Sequence, residues 1–193
     1  MPIHPALLDL YTNHTRRPKE LWVSNLSLCP RYEFFHYKFR PAPRMNDAIL
    51  SGIFLHRLIQ EKLKEDGYEV EKRVEYDLGD GWKLVGRVDA VKDIVIEIKT
   101  TNDYTKDVPE HWVLQANFYA WVLGIDKYII LIIDKPTGHY QEVEFDVDEK
   151  KAMELVERGK VVKECIVSKS IPDGRCDWCL KYCEFSVICE RFR

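Results

Sequence analysis

The sequence predicts an α/β protein in which a mixed central β-sheet is flanked by helices. Three observations support this prediction. Several short segments alternate apolar and polar residues as strands do, one long segment carries apolar residues at helical spacing, and the two kinds of segment are interspersed. The predicted order is two helices, three strands, a helix, two strands, a last helix and a cysteine-rich tail.

The first predicted helix follows a polar N-terminal stretch. Residues 1–20 are polar with scattered prolines, and we expect them to lie loosely on the surface. Ser24 or Ser27 can cap a short helix that reaches Phe39, and Pro30 is tolerated in its first turn.

The second predicted helix is long and amphipathic, from about Asn46 to Asp66. The segment 40–43, Arg-Pro-Ala-Pro, breaks the chain before it, and Gly67 ends it. Its apolar residues keep helical spacing and are Ile49, Ile53, Leu55, Leu58, Ile59 and Leu63.

Three strands are predicted next. Residues 69–78 alternate, the turn Gly79-Asp80-Gly81 follows, and Lys83–Ala90 and Ile94–Thr100 are predicted as two more strands. A hairpin across Val91-Lys92-Asp93 would make the last two strands neighbours.

The second half alternates helices and strands. Pro109–Leu123 is a predicted helix stopped by Gly124, and Tyr128–Ile133 is a continuously apolar strand of the buried type. Tyr140–Val147 alternates again, and Glu149–Ile166 is the final helix. We expect the tail that follows to be irregular.

The composition, with 46% hydrophobic and 32% charged residues, is that of an ordinary globular protein. No apolar run reaches the ~18 residues of a membrane span, and the first residues do not resemble a secretion signal, so we expect a cytoplasmic protein. The net charge of −3 does not favour a nucleic-acid partner, which would need local basic patches or bound cations.

Two predicted strands carry an acidic pair and a lysine. Strand alternation places Glu97 and Lys99 on one face, and the hairpin would bring Asp89 close to Glu97. Two carboxylates so close repel each other unless a cation lies between them, and hard ions such as Mg²⁺ or Mn²⁺ prefer oxygen ligands. A lysine beside metal-bound water can position it or stabilise charge on a phosphate.

Other residues can complete this site. His56, on the long helix, can supply a nitrogen ligand, although taken alone it is more typical of a helix surface or a satisfied core position. Gln115 and Tyr119 are four residues apart and share a helical face. Asp, Glu and Lys at strand edges are more often solvated surface, but these lie in a very apolar stretch, where unpaired charges are costly.

Four motifs resemble those of RecB-family nucleases in the PD-(D/E)XK superfamily. These are His56, Gly86-Arg87-Val88-Asp89, Glu97-Ile98-Lys99 and Gln115 to Tyr119, which match the family's His, GxxD, ExK and QxxxY in order and spacing. The resemblance implies a restriction-endonuclease-like fold and a metal-dependent DNase.

The resemblance also implies a role for each matched residue. His56, Asp89 and Glu97 would ligate the metal, with the Ile98 carbonyl as a further ligand. Lys99 would be the catalytic lysine, with Glu97 and Asp89 as its catalytic partners, and Gln115 and Tyr119 would shape the site and contact the DNA strand.

Six cysteines occur in the chain, four of them within the last eighteen residues: Cys29, Cys165, Cys176, Cys179, Cys183 and Cys189. In a reducing cytosol such a cluster suits metal binding better than disulfides. We expect Cys165, on the apolar side of the last helix, to belong to the core.

One cysteine before the core and three after it resemble the iron–sulfur subgroup of this superfamily, which includes the CRISPR-associated exonucleases of the Cas-four type. The family's Cys-x2-Cys-x5-Cys tail is matched only in halves, by Cys176-x2-Cys179 and by Cys183-x5-Cys189. We predict ligation by Cys29, Cys179, Cys183 and Cys189, with Cys176 as the alternate for Cys183. Four thiolates suit a [4Fe–4S] cluster or zinc, the resemblance favours [4Fe–4S], and [2Fe–2S] is the lesser alternative.

The segment between Cys29 and the long helix mixes basic and aromatic residues: Arg31, Lys38, Arg40, Arg44, Tyr32, Phe34, Phe35, Tyr37 and Phe39. Such a mixture can bind single-stranded DNA by charge and stacking, which makes Arg31 and Arg40 candidate DNA contacts. Equally, the aromatics can pack the core while the charges are solvated.

Together these features predict one nuclease domain over 1–193, with a core at about 46–147 and cluster-binding segments at about 20–45 and 165–193. The resemblance implies a single-strand-preferring exonuclease, with endonuclease activity as an addition. It also implies a role in CRISPR adaptation, trimming DNA ends beside the integrase complex. A free-standing viral or repair nuclease, and a catalytically idle DNA-binding scaffold, are the alternatives.

Overall fold

A computed structural model describes residues 16–41, 46–102, 107–174 and 183–190 of the chain. The described strands are β1 (Glu20–Trp22), β2 (Glu69–Gly79), β3 (Trp82–Val91), β4 (Val95–Thr101), β5 (Lys127–Asp134) and β6 (Tyr140–Asp146). The described helices are α1 (Val23–Leu28), α2 (Pro30–Phe39), α3 (Asp47–Glu65), α4 (Glu110–Leu123), α5 (Glu149–Ser168) and α6 (Ser186–Glu190).

The strands form one mixed sheet in the order β1-β3-β4-β5-β6, with β2 also paired to β3. The β1–β3 and β4–β5 pairs are parallel, and the β2–β3, β3–β4 and β5–β6 pairs are antiparallel. Because parallel neighbours need a crossover, α4 connects β4 to β5. The predicted α/β fold with a mixed sheet flanked by helices is confirmed.

Strand β3 has a gap in the pairing along one edge. Strand β2 pairs with its other edge over nearly the whole length. On the gapped edge, Lys83–Val85 pair with β1 and Ala90–Val91 pair with β4. The four residues 86–89 between them therefore lie at a fork between β1 and β4. Backbone groups at such a fork need side-chain partners, because buried polar groups are rarely left unpaired.

Helices cover both faces of the sheet and bury two apolar clusters. The larger cluster joins the sheet to α1, α2, α4 and α5 and includes Leu26, Phe35, Leu114 and Leu155. The smaller cluster is centred on Ala90, Ile96 and Ile98 and is covered by Ile59 and Leu63 of α3. Ile96 and Ile98 therefore point into the core, on the face of β4 opposite Glu97 and Lys99.

Local sequence signals set the ends of the central elements. The Asn46 side chain accepts a hydrogen bond from the Ile49 N–H at 2.8 Å and begins α3, as predicted. Gly124 ends α4 with a φ of 67°, a conformation that costs glycine little. The turn Gly79-Asp80-Gly81 has positive φ throughout, which explains why two glycines occur there.

Three local predictions were wrong. The single helix ending at Phe39 is two helices, because Cys29 has extended backbone angles and Pro30 starts α2. Of residues 1–20, expected to lie loosely on the surface, 1–15 lie outside the described residues, whereas Glu20 is buried and begins β1. The tail is not wholly irregular, because α6 forms within it. Each of these elements is short, so tertiary contacts rather than periodicity determine it.

Helices α3 and α5 are the longest of the described elements. Neither these nor the other described helices combine the length and apolar character needed to cross a membrane.

Candidate active site

Asp89 lies at the fork in β3 with its carboxylate turned toward β4. Its Oδ2 accepts a hydrogen bond from the Ile98 N–H at 2.7 Å. This bond replaces the backbone ladder where β3 and β4 separate, so the fold fixes one carboxylate oxygen directly. The predicted closeness of Asp89 to the β4 motif is confirmed.

Glu97 and Lys99 lie on one face of β4, as strand alternation predicted. The Lys99 Nζ donates to the Glu97 Oε1 at 2.8 Å and to the Gln115 Oε1 at 3.1 Å. The Gln115 amide in turn donates to the same Glu97 oxygen at 2.6 Å. One turn of α4 therefore holds the carboxylate and the ammonium of β4 in a fixed relation.

Tyr119, one turn after Gln115, fills the space against the start of the fork. Its hydroxyl accepts a hydrogen bond from the Gln115 Nε2 at 3.3 Å and another from the Arg87 backbone N–H. A Cβ on Gly86 would lie 2.4 Å from the Tyr119 ring, so only glycine allows this approach. Burial raises the pKa of Tyr119 well above its usual value.

His56 reaches the fork from α3. Its Nδ1 lies 3.6 Å from the Asp89 Oδ1. Burial lowers the pKa of His56, but the hydrogen bond and charge of Asp89 outweigh burial and raise that pKa overall. The four side chains His56, Asp89, Glu97 and Lys99 thus occupy one place, although they come from three elements.

The Glu97 carboxylate is buried, and the described residues do not place enough positive charge or hydrogen-bond donors around it to offset its desolvation. The pKa of Glu97 is raised to about 7, mainly by burial and also by the charge of Asp89, although Lys99 opposes this rise. The Glu97 Oε2 is buried and has no hydrogen-bond partner among the described residues. Such an oxygen is costly unless it meets a cation or donor. The donor set of one imidazole and two carboxylates therefore fits a hard divalent ion.

The described side chains of the site do not surround a single point as the ligands of a bound metal ion would. Within the described ranges, no three His, Cys, Asp or Glu side chains gather at the spacing that encloses a metal ion. Instead, the Glu97 Oε1 is bound by Lys99 and Gln115, and the Asp89 Oδ2 is bound by Ile98. The Glu97 Oε2 is left for a cation, and the Asp89 Oδ1, which His56 and Gln60 approach at 3.6 and 3.4 Å, is the other candidate ligand oxygen.

The site opens into a cleft of about 1360 Å³ between α2, α3 and the sheet. Its described lining carries seven Lys or Arg side chains against four acidic ones, although the whole chain has a net charge of −3. The basic residues are Arg16, Arg40, Arg57, Lys64, Arg87, Lys99 and Lys135, and the acidic residues are Glu61, Glu71, Asp89 and Glu97. This cleft is the local basic patch that a polyanion would need.

The predicted DNA contacts fall in different environments. Arg40, which caps the end of α2, lines the cleft, and so do Gln115 and Tyr119. Arg31 is buried and donates to the Pro172 carbonyl and the Cys189 Sγ, away from the cleft lining. Arg31 and the nearly inaccessible Tyr119 offer little surface to DNA, so both suit positioning roles better.

The aromatic residues of α2 mostly pack the core, which supports the second of the two interpretations. Phe34 and Phe35 are buried, and Tyr32 and Tyr37 pack against the core, whereas Phe39 is 57% exposed. Arg44 lies outside the described residues.

Two predicted cluster cysteines, Cys29 and Cys189, are buried, and Cys183 packs partly buried against the same core. Helix α2 and the segment 183–190 meet here, since Phe185 packs on Tyr32 and Phe35. Cys165 packs against the core as predicted. Cys176 and Cys179 lie outside the described residues.

Two residues of the site were missed by the sequence analysis. The Gln60 Nε2 donates to the Glu71 Oε1 at 2.7 Å and approaches the Asp89 carbonyl at 3.3 Å. The signal for Gln60 was its position four residues after His56, on the same helical face. No local signal marked Glu71.

Residues 3–190 match the family model of the PD-(D/E)XK nuclease superfamily. The chain is 30% identical over 196 aligned residues to the CRISPR-associated exonuclease Cas4 of Saccharolobus solfataricus, covering 94% of this chain and 93% of that protein.

Solved structures with the same fold include that of SSO0001, with a TM-score of 0.72 and 27% identity over 96% of this chain and 93% of that one. The alkaline exonuclease of Laribacter hongkongensis has a TM-score of 0.59 and 13% identity, over 79% of this chain and 90% of that one. At that identity the second likeness concerns the fold alone.

Proposed function

The chain belongs to the PD-(D/E)XK nuclease superfamily, and from that premise we propose that it is a Mg²⁺- or Mn²⁺-dependent deoxyribonuclease. The proposal is carried by one observation. His56, Asp89, Glu97 and Lys99 meet at the fork in β3, where a buried Glu97 oxygen has no partner among the described residues.

His56, Asp89 and Glu97 would hold the cation, with the Ile98 carbonyl as a further ligand. When bound, such an ion polarises a phosphodiester oxygen and lowers the pKa of a water molecule. The Lys99 ammonium, held by Glu97 and Gln115, provides positive charge for the phosphate in the transition state. Gln115 and Tyr119 keep that ammonium and the fork in place.

A linear single-stranded DNA substrate with Mn²⁺ tests the catalytic assignment. We expect Lys99→Ala to lose at least about 100-fold in rate, because transition-state charge stabilisation contributes about that much. Lys127→Ala is the matched control, since Lys127 is 54% exposed at the start of β5 and pairs with Glu144. Melting temperatures show whether both variants remain folded.

Equal rates for wild type and Lys99→Ala would remove Lys99 from the mechanism. No cleavage by any of the proteins, with intact DNA binding, would instead identify a catalytically idle scaffold. A duplex substrate tests the preference for single strands. A circular single-stranded substrate, which has no ends, distinguishes endonuclease from exonuclease action.

We also propose a preference for single-stranded DNA and a role in CRISPR adaptation, trimming ends beside the integrase complex. The similarity to the Saccharolobus exonuclease supports the pathway. A viral or repair nuclease is the alternative, which the neighbouring genes and co-purification with an integrase distinguish. A cytoplasmic location suits cysteines that serve as metal ligands, because such thiols persist in reducing compartments.

We propose a cysteine-ligated [4Fe–4S] cluster where the start of α2 and the segment 183–190 meet. Arg31 supports it, because its buried guanidinium lies 3.3 Å from the Cys189 Sγ and no described carboxylate forms an ion pair with it. A buried cation needs an opposite charge, which a metal thiolate would provide. We also propose a single domain over 1–193, which the packing of Leu21, Phe35 and Phe185 on one core supports.

The absorption spectrum of anaerobically purified protein tests the cluster. We expect a broad violet band that Cys29→Ala and Cys189→Ala abolish and Cys165→Ala retains. Cys176→Ala and Cys183→Ala decide which of these two residues ligates, and Cys179→Ala tests the fourth ligand. A colourless protein that contains zinc would show that the cysteines bind zinc instead of an iron–sulfur cluster. A folded protein without metal would refute the site.

A further inference from the structure

The Gln60 side chain lies in a polar contact that the catalytic assignment above does not use. Gln60 is buried in α3 and its Nε2 faces the Glu71 Oε1 at 2.7 Å, the Asp89 carbonyl at 3.3 Å and the Asp89 Oδ1 at 3.4 Å. All three atoms are acceptors, so the amide nitrogen must be the group that faces them. The contact therefore has one satisfied orientation.

Asp89 has one oxygen fixed by the backbone and one that depends on side chains. Its Oδ2 accepts from the Ile98 N–H at 2.7 Å, whereas its Oδ1 faces His56 at 3.6 Å and Gln60 at 3.4 Å. Rotation of the carboxylate about its last bond is therefore limited from the α3 side by these two residues. His56 and Gln60 are one helical turn apart and act on the same oxygen.

Glu71, the anchor of the Gln60 amide, has an unusual backbone. Val70 pairs with Ala90 and Lys72 pairs with Val88, so Glu71 lies opposite Asp89 in the β2–β3 ladder. Its φ is +54°, in the left-handed region that a residue with a side chain adopts only at a cost in free energy. Strained residues persist where the surroundings over-determine them, and they cluster at functional sites.

We propose that Gln60, held by Glu71, is a positioning residue that sets the orientation of the Asp89 carboxylate for the metal ion. The inference rests on the proposed function and deepens it. Gln60 and Glu71 act through Asp89 and need no contact with the substrate. Their loss weakens cation binding, and a high cation concentration restores the reaction.

Binding of Mn²⁺ to the purified protein, measured by calorimetry, tests this role. We expect Gln60→Met, which keeps the volume and removes the amide, to weaken Mn²⁺ binding by about tenfold, the lower end for loss of an outer partner of a metal ligand. The rate at saturating Mn²⁺ should return to within about twofold of wild type. Gln141→Met on β6 is the control and should bind Mn²⁺ as wild type does.

Two Glu71 variants separate the acceptor from the backbone strain. Glu71→Gln keeps an acceptor for the Gln60 amide, so we expect nearly wild-type Mn²⁺ binding. Glu71→Gly relieves the positive φ but removes the acceptor, so Mn²⁺ binding should fall although the melting temperature without metal does not.

Unchanged Mn²⁺ binding in folded Gln60→Met would overturn the positioning role while leaving the metal site intact. Equal Mn²⁺ affinities for Glu71→Gln and Glu71→Gly would overturn the part given to Glu71. A wild-type protein that binds no Mn²⁺ would overturn the metal site itself, and the positioning role with it.

Discussion

At the scale of single residues, the site combines charges that would be unfavourable elsewhere in the molecule. Glu97 is 2% exposed and has one oxygen without a hydrogen bond among the described residues. Burying such a group costs free energy that only a positive partner offsets fully. Lys99 offsets part of this cost, and the proposed cation would offset the rest.

His111, in the first turn of α4, is also affected by the charge of Lys99. Burial, together with the positive charge of Lys99, lowers the pKa of His111 to about 4. The folded protein therefore binds fewer protons at this position than the unfolded chain between pH 6.5 and 4. Its contribution to stability is present above the unfolded pKa and is lost as the pH falls through this window.

We predict that His111→Gln reduces the loss of unfolding free energy between pH 7 and pH 4.5 by on the order of 1 kcal/mol, since one pKa unit corresponds to about 1.4 kcal/mol and the residue is only partly buried. Urea denaturation with EDTA at the two pH values measures this. His139→Gln, at an exposed position, is the control. An acid loss as large in His111→Gln as in wild type would contradict the prediction.

At the scale of elements, α4 connects the chemistry to the rest of the fold. Gln115 and Tyr119 hold the fork in β3, while Asn117 on the same helix holds the start of α5. The Asn117 amide donates to the Asp148 carbonyl at 2.9 Å, and its oxygen accepts from the Asp148 N–H at 2.8 Å. One helix thus uses neighbouring residues for function and for stability.

Asn117→Leu should separate these two roles. It leaves the Asp148 N–H and carbonyl without their partner, so we predict a loss of about 2 kcal/mol in unfolding free energy. Mn²⁺ affinity should be unchanged, because Asn117 contacts none of the proposed ligands. Gln115→Leu is the contrasting variant and should reduce the cleavage rate. A Mn²⁺ affinity reduced as much by Asn117→Leu as by Gln60→Met would contradict this division.

At the scale of the whole molecule, charge is distributed unevenly. The chain is acidic overall, yet the described lining of the cleft is basic. Phosphate binding releases counterions, so its strength falls with salt in proportion to the number of contacts. We therefore expect the cleft rather than the total charge to determine attraction for DNA.

We predict that Arg40→Ala and Lys64→Ala each weaken binding of single-stranded DNA in EDTA and each reduce the slope of log K against log salt by about 0.7. Both residues line the cleft. Fluorescence anisotropy over a salt series measures the slope. Lys160→Ala is the control, because Lys160 lies on α5 outside the cleft lining and pairs with Glu157. Equal slopes for all the variants would place the DNA elsewhere.

The sequence could predict the long elements because each carries its own local pattern. Asn46 and Gly124 marked helix ends correctly, and alternation placed Glu97 and Lys99 on one face. The three-residue strand β1 could not be predicted, since it is too short for periodicity and exists only through its pairing with β3. The break at Cys29 was missed for the same reason.

The kind of fold and the four motifs of the site followed from the sequence alone, because periodicity and spacing are properties of neighbouring residues. Only the tertiary structure decided that β3 has a gap at residues 86–89, that Gln60 and Glu71 meet at Asp89, and that Arg31 is buried against Cys189. Each of these contacts joins residues distant in the chain. Their free energy depends on packing and burial, which no local pattern records.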